Sequence, residues 1–146
     1  MAHTFSSLYT HIVFGTKRRE PMILGSSEVH SYLGGIVRGF GGSAVKVGGI
    51  SDHVHLLVRL KATLAIADAV EKIKASSSKW MNERMATRFQ WQKGYSAFSV
   101  SPSAVDSVTK YIANQPEHHT RVTFTEEYLE FLKECGIEYD ERYVFE

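Results

Sequence analysis

The segment Asp52-His53-Val54-His55-Leu56-Leu57-Val58-Arg59-Leu60 decides the fold. Its alternation puts Val54, Leu56, Val58 and Leu60 on one face and His53, His55, Leu57 and Arg59 on the other, as in a half-buried strand. The valine and leucine face is the core face, so both histidines are expected on a side of the sheet that no helix covers. Strand rise sets their Cα atoms roughly 6.5–7 Å apart, close enough for two imidazoles to converge on one cation. Such a pair needs a third ligand from elsewhere; without one it is two exposed strand histidines.

Residues 44–50 read as a partner strand, joined through Ser51-Asp52, a short turn of hairpin type. Upstream, residues 6–16 alternate with Leu8, Ile12 and Phe14 on one parity and Tyr9, His11 and Val13 on the other, and end in Lys17-Arg18-Arg19. Between these strands Ser26 or Ser27 is expected to cap a helix with the stripe Leu33, Ile36, Val37 and Phe40. Glycines 34, 35, 39, 41 and 42 each weaken that helix by up to about 1 kcal/mol relative to alanine. Thr63 is expected to cap a longer helix carrying Ile66, Val70, Ile73, Ser77, Trp80 and Met81 along one face. A strand follows over residues 95–100; Ser101-Pro102 opens another helix, which Pro116 should close. Residues 125–135 read as a short acidic helix with Tyr128, Leu129 and Leu132 apolar. The order β-α-β-β-α-β followed by helices predicts an α+β fold of the ferredoxin-like, RRM-like kind, with one antiparallel sheet, two helices on one face and the other face free. A single domain is expected over residues 1–146.

The chain of 146 residues is 43% hydrophobic and 23% charged, a globular balance. Its one cysteine, Cys135, excludes an internal disulfide and a thiolate metal cluster. Apolar runs are too short to span a membrane and the amino end lacks a signal layout, so no membrane partner is expected and the cytoplasm is the expected compartment. The net charge of +1 conceals a division: residues 1–115 hold 14 Lys and Arg against 7 Asp and Glu, whereas residues 116–146 hold 3 against 9. A basic body beside an acidic tail suits a phosphate-binding protein, and equally suits scattered solvated charge.

A second constellation lies in Val108-Thr109-Lys110-Tyr111-Ile112-Ala113-Asn114-Gln115-Pro116. Tyr111 and Gln115, four residues apart, share a helix face, so their heads can reach one point. A tyrosine hydroxyl with a reference pKa of about 10 is a poor nucleophile unless a metal beside it polarises the target. The amide oxygen of Gln115 is a candidate third ligand for that metal. The alternative is an amphipathic core tyrosine and a solvated glutamine at a helix end.

Five ordered segments then carry a resemblance over nearly the whole chain: His11-Ile-Val-Phe-Gly-Thr-Lys-Arg-Arg, Asp52-His-Val-His-Leu-Leu, Ser77-Ser-Lys-Trp, Trp91-Gln-Lys-Gly-Tyr-Ser-Ala-Phe-Ser-Val and Lys110-Tyr-Ile-Ala-Asn-Gln-Pro-Glu-His-His. Together they resemble the HUH single-tyrosine transposases of insertion sequences and their relatives associated with repetitive extragenic palindromes (REP). The resemblance implies that His53 and His55 are the HUH pair, Tyr111 the nucleophile on a C-terminal helix, and Gln115 the remaining protein ligand of Mg²⁺ or Mn²⁺. It also implies a single-stranded DNA substrate with hairpin-forming palindrome ends, a 5′-phosphotyrosine intermediate, and a homodimer in which the tyrosine helix of some members completes the partner's site. Tyr128, Leu129 and Leu132 of the last helix could cover such a partner. The Gln115-Pro116 pair is a mild variation on the family's pattern and leaves open how the chain continues.

Lys17, Arg18, Arg19, Arg59 and Lys110 are the candidate DNA-binding residues, and Trp80, Trp91 and Tyr95 the candidates for stacking on bases. His11 is expected either beside the site or in a structural role, and His118 and His119 at the surface. No phosphate loop of the G-x-x-x-x-G-K-[ST] type is present, so no nucleotide cofactor is expected. The competing readings are a non-catalytic single-strand-binding module on the same sheet and a metal-dependent hydrolase, which would want a carboxylate ligand that neither motif offers beyond Asp52.

Overall fold

A computed structural model describes residues 3–85 and 88–146. Strands β1 (Tyr9–Gly15), β2 (Ser43–Ile50), β3 (His53–Arg59) and β4 (Ser96–Val100) form one antiparallel sheet in the order β2-β3-β1-β4. Helix α1 (Ser26–Gly39) connects β1 to β2, and α2 (Ile66–Arg84) connects β3 to β4. After β4 come α3 (Val105–Ala113), the single turn α4 (Gln115–His118) and α5 (Phe124–Glu134). This is the expected α+β arrangement, and the alternation that predicted it is physically realised. Ile12, Phe14, Val54, Leu56 and Val58 point into a core with Leu33 and Val37 of α1 and Val70, Ile73 and Met81 of α2. With strand side chains alternating between faces, register fixes the opposite set as firmly.

That opposite set is not free. His53, His55 and Leu57 are wholly buried, because α3, α4 and α5 of the same chain lie over them. Val13 joins a second core with Phe124, Tyr128 and Leu132 of α5, so Tyr128 and Leu132 cover this chain's own sheet. Phe131 stacks on Phe98 of β4, with centroids 5.2 Å apart. The apolar stripe of the last helix therefore takes up the face that the topology alone left open.

Three helix boundaries differ from expectation for local reasons. Gly25, in the left-handed region at φ 66°, caps α1 through its backbone, and Ser26 is already helical. The helix α2 begins at Ile66 after Ala65, so Thr63 does not cap it. Pro116 does not close α3 but sits in the first turn of α4, where its missing N–H costs nothing. This new turn re-aims the chain directly after Gln115. Among the described residues, Thr123 at the start of α5 alone accepts a capping bond from a backbone N–H, that of Glu126 at 3.2 Å.

The close approach of α3 to β2 depends on Gly48. A Cβ there would stand 2.6 Å from Ile112 Cγ2 and 2.7 Å from the Ile112 carbonyl oxygen. Gly48→Ala should therefore lift α3 off the sheet, at a cost of about 1–3 kcal/mol in chemical unfolding. A variant as stable as the parent would mean that α3 docks more loosely than this contact implies.

Candidate active site

The strand β3 delivers His53 and His55 to the same face, α3 brings Tyr111 over them, and the start of α4 brings Gln115, which is completely buried. The turn after α4 adds His119, and α5 adds Glu127. Glu127 Oε1 lies 2.9 Å from His55 Nε2, 3.4 Å from His53 Nε2 and 3.3 Å from His119 Nε2. Gln115 Oε1 accepts from His53 Nε2 at 2.9 Å and from His119 Nε2 at 2.8 Å. On the other side of the same carboxylate, Glu127 Oε2 accepts the Tyr111 hydroxyl and, at 3.0 Å, the Gln115 side-chain N–H. His118 Nε2 lies 3.1 Å from that oxygen.

Each of the converging imidazoles is held at its other nitrogen. His53 Nδ1 is 2.7 Å from Asp52 Oδ1, His55 Nδ1 is 2.8 Å from His11 Nε2, and His119 Nδ1 is 2.6 Å from the Val122 carbonyl oxygen. His11 therefore belongs to the site, fixing the His55 ring. Burial first, and then the neighbouring His55, depress His11 to about 3. Burial likewise depresses His55 to about 4 despite its bond to Glu127, so both are neutral. Burial opposes charge on His53 as well, but its bonds to Asp52, Glu127 and Gln115 outweigh that and raise its pKa. Burial would neutralise Glu127, yet the hydrogen bonds from His119, His53 and His55 prevail and hold it far below the usual carboxylate range. Burial and the Glu127 carboxylate together push the Tyr111 hydroxyl up, so it is protonated.

This donor set fits a divalent ion. The ligand atoms of His53, His55, His119 and Glu127 lie within 4.8 Å of one another, wider than the edge of about 3.4 Å for a tetrahedron with ligands at about 2.1 Å, so they would draw in around an ion. Their outer partners can all hold a proton at Nδ1, which leaves the Nε2 lone pairs to a metal; this is how metal-bound histidines are oriented. The sequence reading gave neither His119 nor Glu127 a role at the metal. The surface expectation fails for His119, whose side chain is 3% exposed, and partly for His118, at 30%. Glu127 had a readable signal: it falls on the apolar stripe Phe124, Tyr128 and Phe131, where a lone carboxylate needs a buried partner. It also supplies the carboxylate that the motifs lacked.

Tyr111 faces a cavity of about 610 Å³ shared with His11, His118 and Phe131 and edged by Glu126, Glu130 and Glu134. Of the expected DNA-binding residues, Lys17, Arg18 and Arg19 form an exposed turn after Gly15, which pairs with His53. Arg19 donates to Thr125 Oγ1 at 2.7 Å and covers the Phe145 ring. Arg59 is at the far end of β3, donating to the Ser6 carbonyl at 3.1 Å, and Lys110 is exposed on α3. Trp91 cannot stack on a base: it is buried edge-on against Phe14 and Phe89 and donates to Ser77 Oγ at 2.9 Å. Trp80 is stacked on Tyr32 at 4.2 Å, which leaves Tyr95 as the exposed ring of the three.

A family model described as "Transposase IS200 like" matches residues 4–115. No curated protein matches the chain. One similar solved structure, from Deinococcus radiodurans R1 and assigned as a transposase, is 22% identical, with 79% of this chain and 95% of that chain covered and a TM-score of 0.64. Another, a REP-associated tyrosine transposase bound to a REP hairpin, is 12% identical, with 84% and 74% covered and a TM-score of 0.62. At such identities these two speak for the fold.

Because one carboxylate answers so many donors, Glu127→Ala should destabilise the metal-free protein by about 3 kcal/mol in urea unfolding. Glu130→Ala, exposed on the same helix, should change stability by less than about 0.5 kcal/mol.

Proposed function

The chain belongs to the IS200-like transposase family, and on that premise we propose that it is a metal-dependent single-stranded DNA transesterase, cutting and rejoining strands through a phosphotyrosine at Tyr111. The observation that carries this reading is the junction at Glu127: the Tyr111 hydroxyl and the convergent ring nitrogens of His53 and His55 meet on its two oxygens.

His53, His55 and Gln115, with His119 and Glu127, would hold the divalent cation, which when bound draws charge from the scissile phosphate. Of Mg²⁺ and Mn²⁺, an imidazole-rich cage suits Mn²⁺ better, since Mg²⁺ sheds its water reluctantly and prefers a few carboxylates. Tyr111 Oη attacks phosphorus in line, forming the tyrosyl ester as the bond from phosphorus to the 3′ oxygen breaks. The proton of Tyr111 passes along its hydrogen bond to Glu127 Oε2, and the 3′ oxygen leaves with the bonding electron pair and takes a proton from water to become a hydroxyl. One phosphoester replaces another, so no nucleotide need be hydrolysed, and a later 3′-hydroxyl can reverse the step on another strand. Before attack, burial and the neighbouring Glu127 carboxylate keep the proton on the tyrosine. The REP hairpin held by one structural relative supports hairpin-forming ends as the substrate.

In the proposed reaction, labelled single strands carrying hairpin palindromes should give a covalent adduct on a denaturing gel with Mn²⁺ and none with chelator. Tyr111→Phe should abolish the adduct while binding stays within about twofold, since only one oxygen is removed. Binding without any adduct from the parent protein would leave the non-catalytic module as the better reading.

We also propose that, in a homodimer, each site works with its own tyrosine, because Tyr111 reaches Glu127 and through it His55 of the same chain. Mixed dimers of Tyr111→Phe and His55→Ala chains should then stay inactive. Recovery of activity after verified subunit exchange would mean that the tyrosine helix crosses to the partner.

A further inference from the structure

Gly15 is a wall between two sites. A Cβ there would stand 2.6 Å from the Phe124 ring, which stacks on His53 at 4.1 Å, and 3.1 Å from Gln92 Oε1. Beyond Gln92 opens a groove of about 980 Å³, bounded by α2, residues 88–95 and the turn at 141–146.

The groove carries more positive than negative charge. Besides Arg88 and Arg142, the cations Lys17, Arg18, Lys74 and Lys93 line it, against Glu71, Glu141 and Glu146. Among the described residues the Lys or Arg side chains within 4.0 Å of a carboxylate are Arg84 and Arg142, so none of those four cations is paired. Lys74 is anchored rather than free: its ammonium donates to the carbonyl oxygens of Gln92, Lys93 and Gly94 at 2.9, 3.1 and 2.6 Å, over the ring of Phe14. Burial lowers it only to about 8, so it stays charged at neutral pH. Gln92, 4% exposed, spends its oxygen on the Gly15 N–H at 2.6 Å and leaves its Nε2 without a partner among the described residues. A buried donor left unpaired in a cationic groove suits an acceptor brought by a ligand.

Two further features point the same way. Arg18 and Arg19 both adopt the left-handed region, at φ 57° and 56°, a conformation that non-glycine residues keep where the surroundings demand it, often at binding sites. Tyr95 presents an exposed ring on the rim, suited to base stacking. The cavity at Tyr111, edged by Glu126, Glu130 and Glu134, is lined by no lysine or arginine among the described residues, so a strand cut there takes its cationic grip from elsewhere.

We infer that this groove is a second nucleic-acid site, gripping the sugar-phosphate backbone of the DNA that flanks the strand cut at Tyr111, with Tyr95 as its stacking platform. The inference deepens the transesterase reading and rests on it for the identity of the polymer.

The test is fluorescence anisotropy with a fluorescein-labelled, mixed-sequence single strand of about 30 nucleotides, in chelator so that no cleavage intervenes; such a span exceeds the site size of single-strand binders. Lys17→Glu with Lys93→Glu should weaken binding at least tenfold at low salt and shrink the slope of log affinity against log salt by about 1.4, two phosphate contacts of a single strand. The control pair Lys61→Glu with Lys79→Glu, exposed outside the groove, makes the same charge change and should stay within about twofold. Tyr95→Ala should lose about fivefold or more with the slope unchanged. Unchanged binding by the groove pair, or equal weakening by the control pair, overturns the inference. A tyrosyl adduct formed by a protein whose groove variants bind normally would refute the groove and keep the transesterase. Groove-dependent binding by a protein that forms no adduct would do the reverse.

Discussion

Everything on the second face of the sheet is organised by one buried carboxylate. An ionised carboxylate taken out of water is tolerated only when its lone pairs are filled, and Glu127 is 4% exposed. Its partners come from β3, α3, α4 and the turn after α4, so satisfying Glu127 requires that these elements close over one another at once. The interaction is therefore more specific than the apolar packing around it. Phe124, Tyr128 and Leu132 would cover almost any flat hydrophobic face, whereas Glu127 accepts only the register that brings two histidines beneath it.

The sheet was legible because strand alternation is a strict period-two signal and register carries it across neighbours. Val54, Leu56 and Val58 could face only one way, and that fixed His53 and His55 on the other. The pair Tyr111 and Gln115 was legible for a similar reason, being one helical turn apart; in the structure the turn breaks between them and both still arrive. What stayed hidden is what no local period encodes. Gly25 caps α1 with a backbone dihedral rather than a side chain, and the packing of α5 back onto β1 is a long-range event. The roles of Glu127 and His119 follow from that docking, so a reading by segments saw an acidic helix and a surface histidine. Trp91 misled for the opposite reason: its ring resembles a stacking platform until Phe14 and Phe89 are packed against it.

The two oxygens of Glu127 divide the site into a ligand side and a nucleophile side. Oε1 faces His53, His55 and His119; Oε2 faces Tyr111, the Gln115 amide and His118. A change on the ligand side is thus felt by the tyrosine through a single rigid group, without any movement of the backbone. The hydroxyl is held protonated while the carboxylate carries its full charge beside it. Any cation that shares that charge lessens the hold on the proton at the moment it becomes available to polarise a phosphate.

Charge along the chain then acquires a spatial meaning. The acidic tail is not a solvated appendage, because α5 contributes the carboxylate at the centre of the site and lines the tyrosine's cavity with three more. Among the described residues, that side offers a polyanion no lysine or arginine, whereas the far side of Gly15 offers cations without a carboxylate partner. Gly15 itself has no room for a methyl group, since Phe124 of the histidine site and Gln92 of the groove both stand against it. The same absence of a side chain lets its N–H bond to Gln92 while its strand partner is His53. A strand gripped in the groove would therefore load a backbone unit directly paired with the first histidine of the site, coupling hold and chemistry through one residue rather than through a path of side chains.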